Sequence, residues 1–145
     1  MLHSAREPTL NTKHTNIGNP FFMYYLQMAK TSPTQRTLQL LRKEGYTVAV
    51  AEKFNHFIKV RQDLFGWIDV VAIHPEINGV MGVQTTSGSN LSARIKKAQA
   101  LDSYKTWLEA GNSIEFHGWR KLKNLPGNRQ WDCDRRVINP SSAQL

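Results

Sequence analysis

Asp69 sits in Gly66-Trp67-Ile68-Asp69-Val70-Val71-Ala72-Ile73, an apolar run with the pattern of a strand buried on both faces. An ionised carboxylate in such a run is expensive to bury unless it is paired or holds a metal. A second run, Gly79-Val80-Met81-Gly82-Val83-Gln84-Thr85-Thr86, carries an amide and hydroxyls. On period-two alternation Gln84 and Thr86 share a face, the face toward which Asp69 is expected to point. The connector His74-Pro75-Glu76-Ile77-Asn78-Gly79 is rich in turn residues, so the two runs are expected to be neighbours in one sheet. A carboxylate, an amide and a hydroxyl then converge at the end of a buried hairpin. Hard cations such as Mg²⁺ take oxygen ligands with only one or two carboxylates, water and phosphate completing the shell. Asp69, the Gln84 side-chain oxygen and a backbone carbonyl make such a set, with Asp63 and Glu52 as further carboxylates. The competing reading has Asp69 capping a loop or pairing with Arg61 or Lys59, and Gln84 as a structural amide.

Other reactive side chains point less sharply. Thr86 and Ser87 have no His placed nearby to activate them, so they read as capping or phosphate-contacting hydroxyls. Arg94, Lys96 and Lys97 cluster in two turns and are either a solvated helix face or a phosphate contact. His3, His14, His56, His74 and His117 show no metal-ligand spacing with Cys133, which argues against zinc. Trp67, Trp107 and Trp119 read as core. Trp131, near Arg129, Arg135 and Arg136, is the better base-stacking candidate. No glycine-rich phosphate loop is present, which disfavours nucleotide hydrolysis.

The elements that would position these groups follow from periodicity. Ser32-Pro33-Thr34-Gln35 opens a helix with a cap, a first-position proline and a capping-box Gln. Leu38, Leu41 and Leu40 give its apolar stripe, and Gly45 its stop. Tyr46 to Lys53 and Phe54 to Asp63 have strand character, the latter with Phe57 and Ile58 between polar residues. After the two central strands, Ser87-Gly88-Ser89-Asn90 supplies a cap. One long helix is expected over Leu91 to Ala110, with Leu91, Ile95, Ala98, Leu101, Tyr104 and Leu108 on one line. Gly111 ends it. Ser113 to Leu122 alternates Ile114 and Phe116 with Glu115 and His117, a regular strand, and Trp131 to Ile138 is expected as an edge strand. The fold class is α/β with a mixed central β-sheet flanked by helices.

At 145 residues the chain is long enough for one domain with a sizeable core. Residues 1–27 read as a loosely attached extension, 28–123 as the core and 124–145 as a basic tail. No apolar run approaches the ~20 residues that cross a bilayer, and the polar leader makes a poor signal peptide. A single Cys133 excludes an internal disulfide framework and fits a reducing, cytoplasmic compartment. The 19 Lys and Arg against 11 Asp and Glu leave a net charge of +8, which favours a polyanionic partner.

From Ser32 to Lys121 the chain resembles the PD-(D/E)xK nuclease superfamily, in particular its small phage-type and Holliday-junction-resolvase-like members. The residues carrying the likeness are the leading helix, Asp63-Leu64-Phe65-Gly66-Trp67-Ile68-Asp69, Gly82-Val83-Gln84-Thr85-Thr86-Ser87, the Arg94/Lys97 helix and Gly118-Trp119-Arg120-Lys121. The resemblance implies a restriction-endonuclease-like core. It gives Asp69 the role of the motif Asp, Gln84 that of its Glu and the Thr85 carbonyl that of the third ligand of Mg²⁺ or Mn²⁺. Thr86 stands where the motif has its Lys. A hydroxyl cannot supply that positive charge, so an amine from another element, Lys97, Lys96 or Lys59, is expected to replace it. Arg94 or Lys97 could clamp the scissile phosphate.

The function expected is a metal-dependent nuclease or resolvase-like phosphodiesterase acting on DNA, linear or branched, of phage or prokaryotic type. Asp69, Gln84, Thr86 and Lys97 are its catalytic set. Lys59, Arg61, Ser87, Asn90, Arg94, Lys96, Lys97, Arg120 and Lys121 hold nucleic acid, and a homodimer would suit two strands. The rival is a DNA- or RNA-binding protein on the same fold without catalysis, separated by whether a Lys amine reaches the attacking water. A third class, a plain interaction module, predicts no salt-dependent DNA affinity.

Overall fold

The computed structural model describes residues 31–123 and 130–141; the expected extension 1–27 and part of the tail lie outside them. Helix α1, Pro33–Lys43, opens as its sequence dictates: the Ser32 side chain accepts from the Gln35 N–H at 3.2 Å, and Pro33 fills the first turn. Thr37, Leu38 and Leu41 are buried, and Arg42 and Lys43 face the carbonyl end. The chain leaves through Gly45 at φ 92°, a conformation only glycine adopts without strain.

Strands β1 (Thr47–Val50), β4 (Val70–His74), β5 (Ile77–Ser87), β6 (Ser113–Lys121) and β7 (Trp131–Ile138) form one sheet in the order β1-β4-β5-β6-β7. β5 and β6 run parallel and the other neighbours antiparallel, so the sheet is mixed. Among the described residues β2 (Lys53–Asn55) and β3 (Val60–Gln62) pair with each other and with no other strand. On one face of the main sheet α1 packs Leu38 and Leu41 against Val70, Ala72, Met81 and Val83. On the other, α2 (Leu91–Gln99) and α3 (Asp102–Glu109) pack Leu91, Ala98, Tyr104 and Leu108 against Trp67, Ile68, Ile114 and Phe116. The protein is α/β, a mixed five-stranded sheet flanked by helices. Among the described residues no helix is long and apolar enough to cross a membrane.

Three expectations need correction. The long helix is two: Leu101 takes extended backbone (φ −92°, ψ 136°) and α3 restarts behind it. The Asp102 carboxylate in the first turn of α3 is a start signal that the unbroken apolar line concealed. Phe54 to Asp63 is not one strand, because the Asn55 side chain accepts from the N–H groups of Phe57 and Ile58 and folds the segment into a hairpin. Asn90 occupies the cap position of α2 but its side chain makes no cap bond. Glu115 and His117, which alternate with Ile114 and Phe116 as expected, are also buried, because α1 covers the face they line. They satisfy one another there: His117 Nε2 lies 2.6 Å from Glu115 Oε2, and Arg135 donates to Glu115 and Glu44. The expected edge strand is β7.

Candidate functional site

The site begins with a break in strand alternation. Ile68 and Val70 are two residues apart and would share a face of a regular strand. Here Ile68 packs beneath α2 and α3, whereas Val70 packs beneath α1. The chain bends at Asp69 between them. The pairing of β4 with β5 starts at Val70↔Val83, while β5 continues to Ser87 beside β6. β4 and β5 therefore part at Asp69, leaving the Thr85 N–H without a strand partner. The Asp69 carboxylate supplies one, accepting from Thr85 N at 2.8 Å. The Thr85 hydroxyl in turn lies 2.9 Å from that of Thr34 on α1.

Around this bond a cleft of about 240 Å³ is lined by Pro33, Thr34, Glu52, Arg61, Asp63, Asp69, Thr85 and Arg94. Burial pushes the Asp69 carboxyl up, the Thr85 N–H opposes it, and the carboxylates of Asp63 and Glu52 push it further, to about 7. Arg61 pairs with Glu52 at 3.6 Å, not with Asp69. The reading of Asp69 as the partner of Arg61 is thus not what the geometry gives.

Each expected site residue has a definite place. Asp69 and Thr85 line the cleft together with Asp63, Glu52, Arg61 and Arg94. In a strand the N–H and C=O of one residue point to the same edge, so the Thr85 carbonyl faces the side from which Asp69 approaches. Gln84 and Thr86 do share a face, but it is the one beneath α2 and α3, where they oppose Phe116 and Gly118. Both are buried, and neither lines the cleft. Among the described residues Gln84 Oε1 has no hydrogen-bond partner, an orphaned acceptor that costs about 1–3 kcal/mol to leave unmade. Lys96 and Lys97 are exposed on α2, and Arg94 is the α2 cation in the cleft. Lys59 lies in the β2–β3 turn at φ 51°. Ser87 bonds Ser89 at 3.1 Å, Arg120 pairs with Asp132 at 2.8 Å, and Lys121 is exposed. Trp131 carries the Arg36 guanidinium 3.8 Å above its ring, so one of its faces is already occupied.

Sequence reading missed Thr34 and Pro33 as walls of the cleft. Their capping role in α1 was legible, but their approach to Thr85 depends on how α1 packs across the sheet. The cleft presents three carboxylates, two guanidinium groups, one of them paired with Glu52, and a strand carbonyl edge. Among the described residues no three acidic, imidazole or thiol side chains are grouped so as to hold a metal ion by themselves. An open set of oxygen donors that leaves room for water and phosphate suits a hard cation better than zinc. The mutually repelling carboxylates fit such a charge. Compared with protein-family models, curated proteins and solved structures, the chain matches none.

Proposed function

We propose that the protein is a metal-dependent nuclease on a restriction-endonuclease-like, PD-(D/E)xK-type core, hydrolysing DNA phosphodiester bonds. The observation that carries this reading is the position of Asp69, held by the Thr85 N–H where β4 and β5 part, in a cleft that also contains Asp63, Glu52, Arg61 and Arg94. Asp69, the Thr85 carbonyl and either Asp63 or Glu52 would hold Mg²⁺ or Mn²⁺, which when bound supplies Lewis-acid charge to the phosphoryl oxygens. Arg94 and Arg61 orient the phosphodiester, their planar donors matching two of its oxygens. Thr34 fixes the Thr85 hydroxyl and thereby the strand segment that carries the carbonyl. Gln84, which the resemblance puts in the place of the motif's acidic residue, faces α2 and α3 and takes no part in this cleft.

Arg94 rather than Lys97 takes the part of the displaced motif lysine in this reading, because it is the α2 cation that lines the cleft. A guanidinium stays protonated, so it serves by charge and position and not by taking a proton. Phosphate contacts give affinity without reading bases, which suits a structure-selective or nonspecific enzyme working on intracellular DNA.

One observation favours the second reading, a DNA- or RNA-binding protein without catalysis: among the described residues no lysine lines the cleft. Incubation of linear and four-way branched DNA with the protein and Mg²⁺ or Mn²⁺ decides between them. The nuclease reading expects cleavage that Asp69→Asn abolishes. Salt-dependent binding with no cleavage by either protein would sink it and leave the binding protein.

A further inference from the structure

The β2–β3 hairpin is at odds with its own composition. Phe57 is 99% exposed, the most exposed of the large apolar side chains among the described residues, and Ile58 beside it is 58% exposed. A two-stranded hairpin outside the main sheet has no packing reason to hold such residues in water. Yet the tip is not left loose. Asn55 Oδ1 accepts from Phe57 N at 3.0 Å and from Ile58 N at 3.4 Å, and Lys59 at φ 51° closes the turn. Asn55 thus fixes the turn that carries Phe57 outward.

The charge around the tip names its partner. Residues 53–61 carry Lys53, Lys59 and Arg61 and no acidic residue. Phe54 and Arg61 are paired directly across the hairpin and so project from the same face. Arg61 lines the acidic cleft and pairs there with Glu52. The hairpin is therefore continuous with the cleft: an apolar point, then a cationic collar, then the phosphate-orienting guanidinium. A protein partner with an apolar groove would not require cations on either side of the point, whereas a nucleic-acid duplex does. Its phosphates flank the groove and its stacked bases form an apolar interior.

We propose that the β2–β3 hairpin is a wedge, with Phe57 and Ile58 entering between base pairs of a bent or branched DNA duplex while Lys53 and Lys59 hold the flanking phosphates. Apolar wedges of this kind part a base step and kink the duplex. Unstacking is easiest where stacking is already interrupted, so the wedge selects mismatched, nicked or branched DNA over an intact duplex. This inference rests on the nuclease reading and gives that site its substrate class.

The test uses the full chain with EDTA present, so that binding is read without cleavage, on duplexes carrying 2-aminopurine beside a mismatch or a four-way branch. Wild type is expected to raise 2-aminopurine fluorescence and to prefer branched over intact duplex. The double variant Phe57→Ala/Ile58→Ser should lose the fluorescence rise and about tenfold of that preference, the scale of one lost base–aromatic stack. It should keep its salt-dependent affinity for intact duplex, while Phe57→Trp should retain both properties. Because Phe57 touches solvent alone, the variant should keep wild-type circular dichroism. A double variant that binds and unstacks like wild type overturns the wedge while leaving the nuclease reading standing. Absence of DNA binding by wild type overturns both. If the variant only converts a dimer to a monomer, with fluorescence unchanged, the tip is a self-association surface and the wedge is wrong.

Discussion

Ile68 and Val70, separated by a single residue, pack on opposite faces of the sheet. That reversal turns the chain at Asp69 and carries its carboxylate to the backbone N–H of Thr85. A regular strand would have placed Asp69 on the face of Gln84 and Thr86. The bend instead puts it at the mouth of an acidic cleft, where burial and two neighbouring carboxylates oppose its ionisation.

The first prediction concerns the stability of the metal-free protein. The Asp69 carboxyl is raised from its ordinary 3.8 to about 7. A raised group favours the folded state below its unfolded pKa, and that contribution is lost as pH rises through the folded one. Asp69→Asn, which keeps an oxygen for the Thr85 N–H, is therefore expected to be more stable than wild type at pH 8 in EDTA, by about 1–3 kcal/mol. The gain should vanish near pH 4. Urea unfolding at both pH values checks it, and an equal or lower midpoint for Asp69→Asn at pH 8 would refute it.

Metal binding should reverse that order. Millimolar Mg²⁺ or Mn²⁺ is expected to raise the wild-type melting temperature at pH 8 and to leave Asp69→Asn nearly unmoved, since a ligand stabilises only the state that binds it. Differential scanning fluorimetry with and without EDTA reads this independently of cleavage. Equal shifts in both proteins would take the cation away from Asp69.

On α2, Arg94→Ala should reduce cleavage by roughly 100-fold through loss of a phosphate clamp. Lys97→Ala, lying outside the cleft, should stay within about threefold, as a distant phosphate contact does. Single-turnover rates on one DNA substrate separate the two. The opposite order would restore Lys97 to the catalytic set.

The buried Glu115 carboxylate is pushed up by burial, but hydrogen bonds from His117 and Arg135 outweigh this and hold it below its ordinary 4.5. A depressed acid stabilises the fold above its unfolded pKa and ceases to do so as pH falls through the folded one. Wild-type stability should thus decline as pH drops below 4.5, and Glu115→Gln should show a flatter profile. Glu115→Ala, which takes the carboxylate from His117 and leaves Arg135 with Glu44 alone, should cost about 3 kcal/mol at pH 7. Urea titrations from pH 3 to 7 would expose an unchanged slope.

Two glycines test close approach in the backbone. Gly79 (φ 82°) would bring a Cβ to 2.4 Å from the Gly111 carbonyl oxygen, whereas Gly111 (φ 88°) has open space. Gly111→Ala should cost about 1 kcal/mol for conformation alone, and Gly79→Ala about 3 kcal/mol, as the backbones must separate. Similar losses in thermal unfolding would remove the steric argument.

What the amino-acid sequence determined by itself were the local decisions. The Ser32 cap, the first-turn Pro33 and the stop at Gly45 set α1, and alternation over Ser113–Lys121 set β6. An Asp inside an apolar run marked position 69 as chemically exceptional, because the energetic penalty for that residue type does not depend on the fold. Tertiary structure decided what those residues face. Periodicity assumes one regular element, so it joined α2 to α3 across Leu101 and put Asp69 on the wrong side of its strand. Helices on both sides of the sheet buried Glu115 and His117, and the parting of β4 from β5 opened the cleft to Thr34, Arg61 and Arg94. These outcomes depend on contacts between segments far apart in the chain, and a local pattern carries no record of which faces meet.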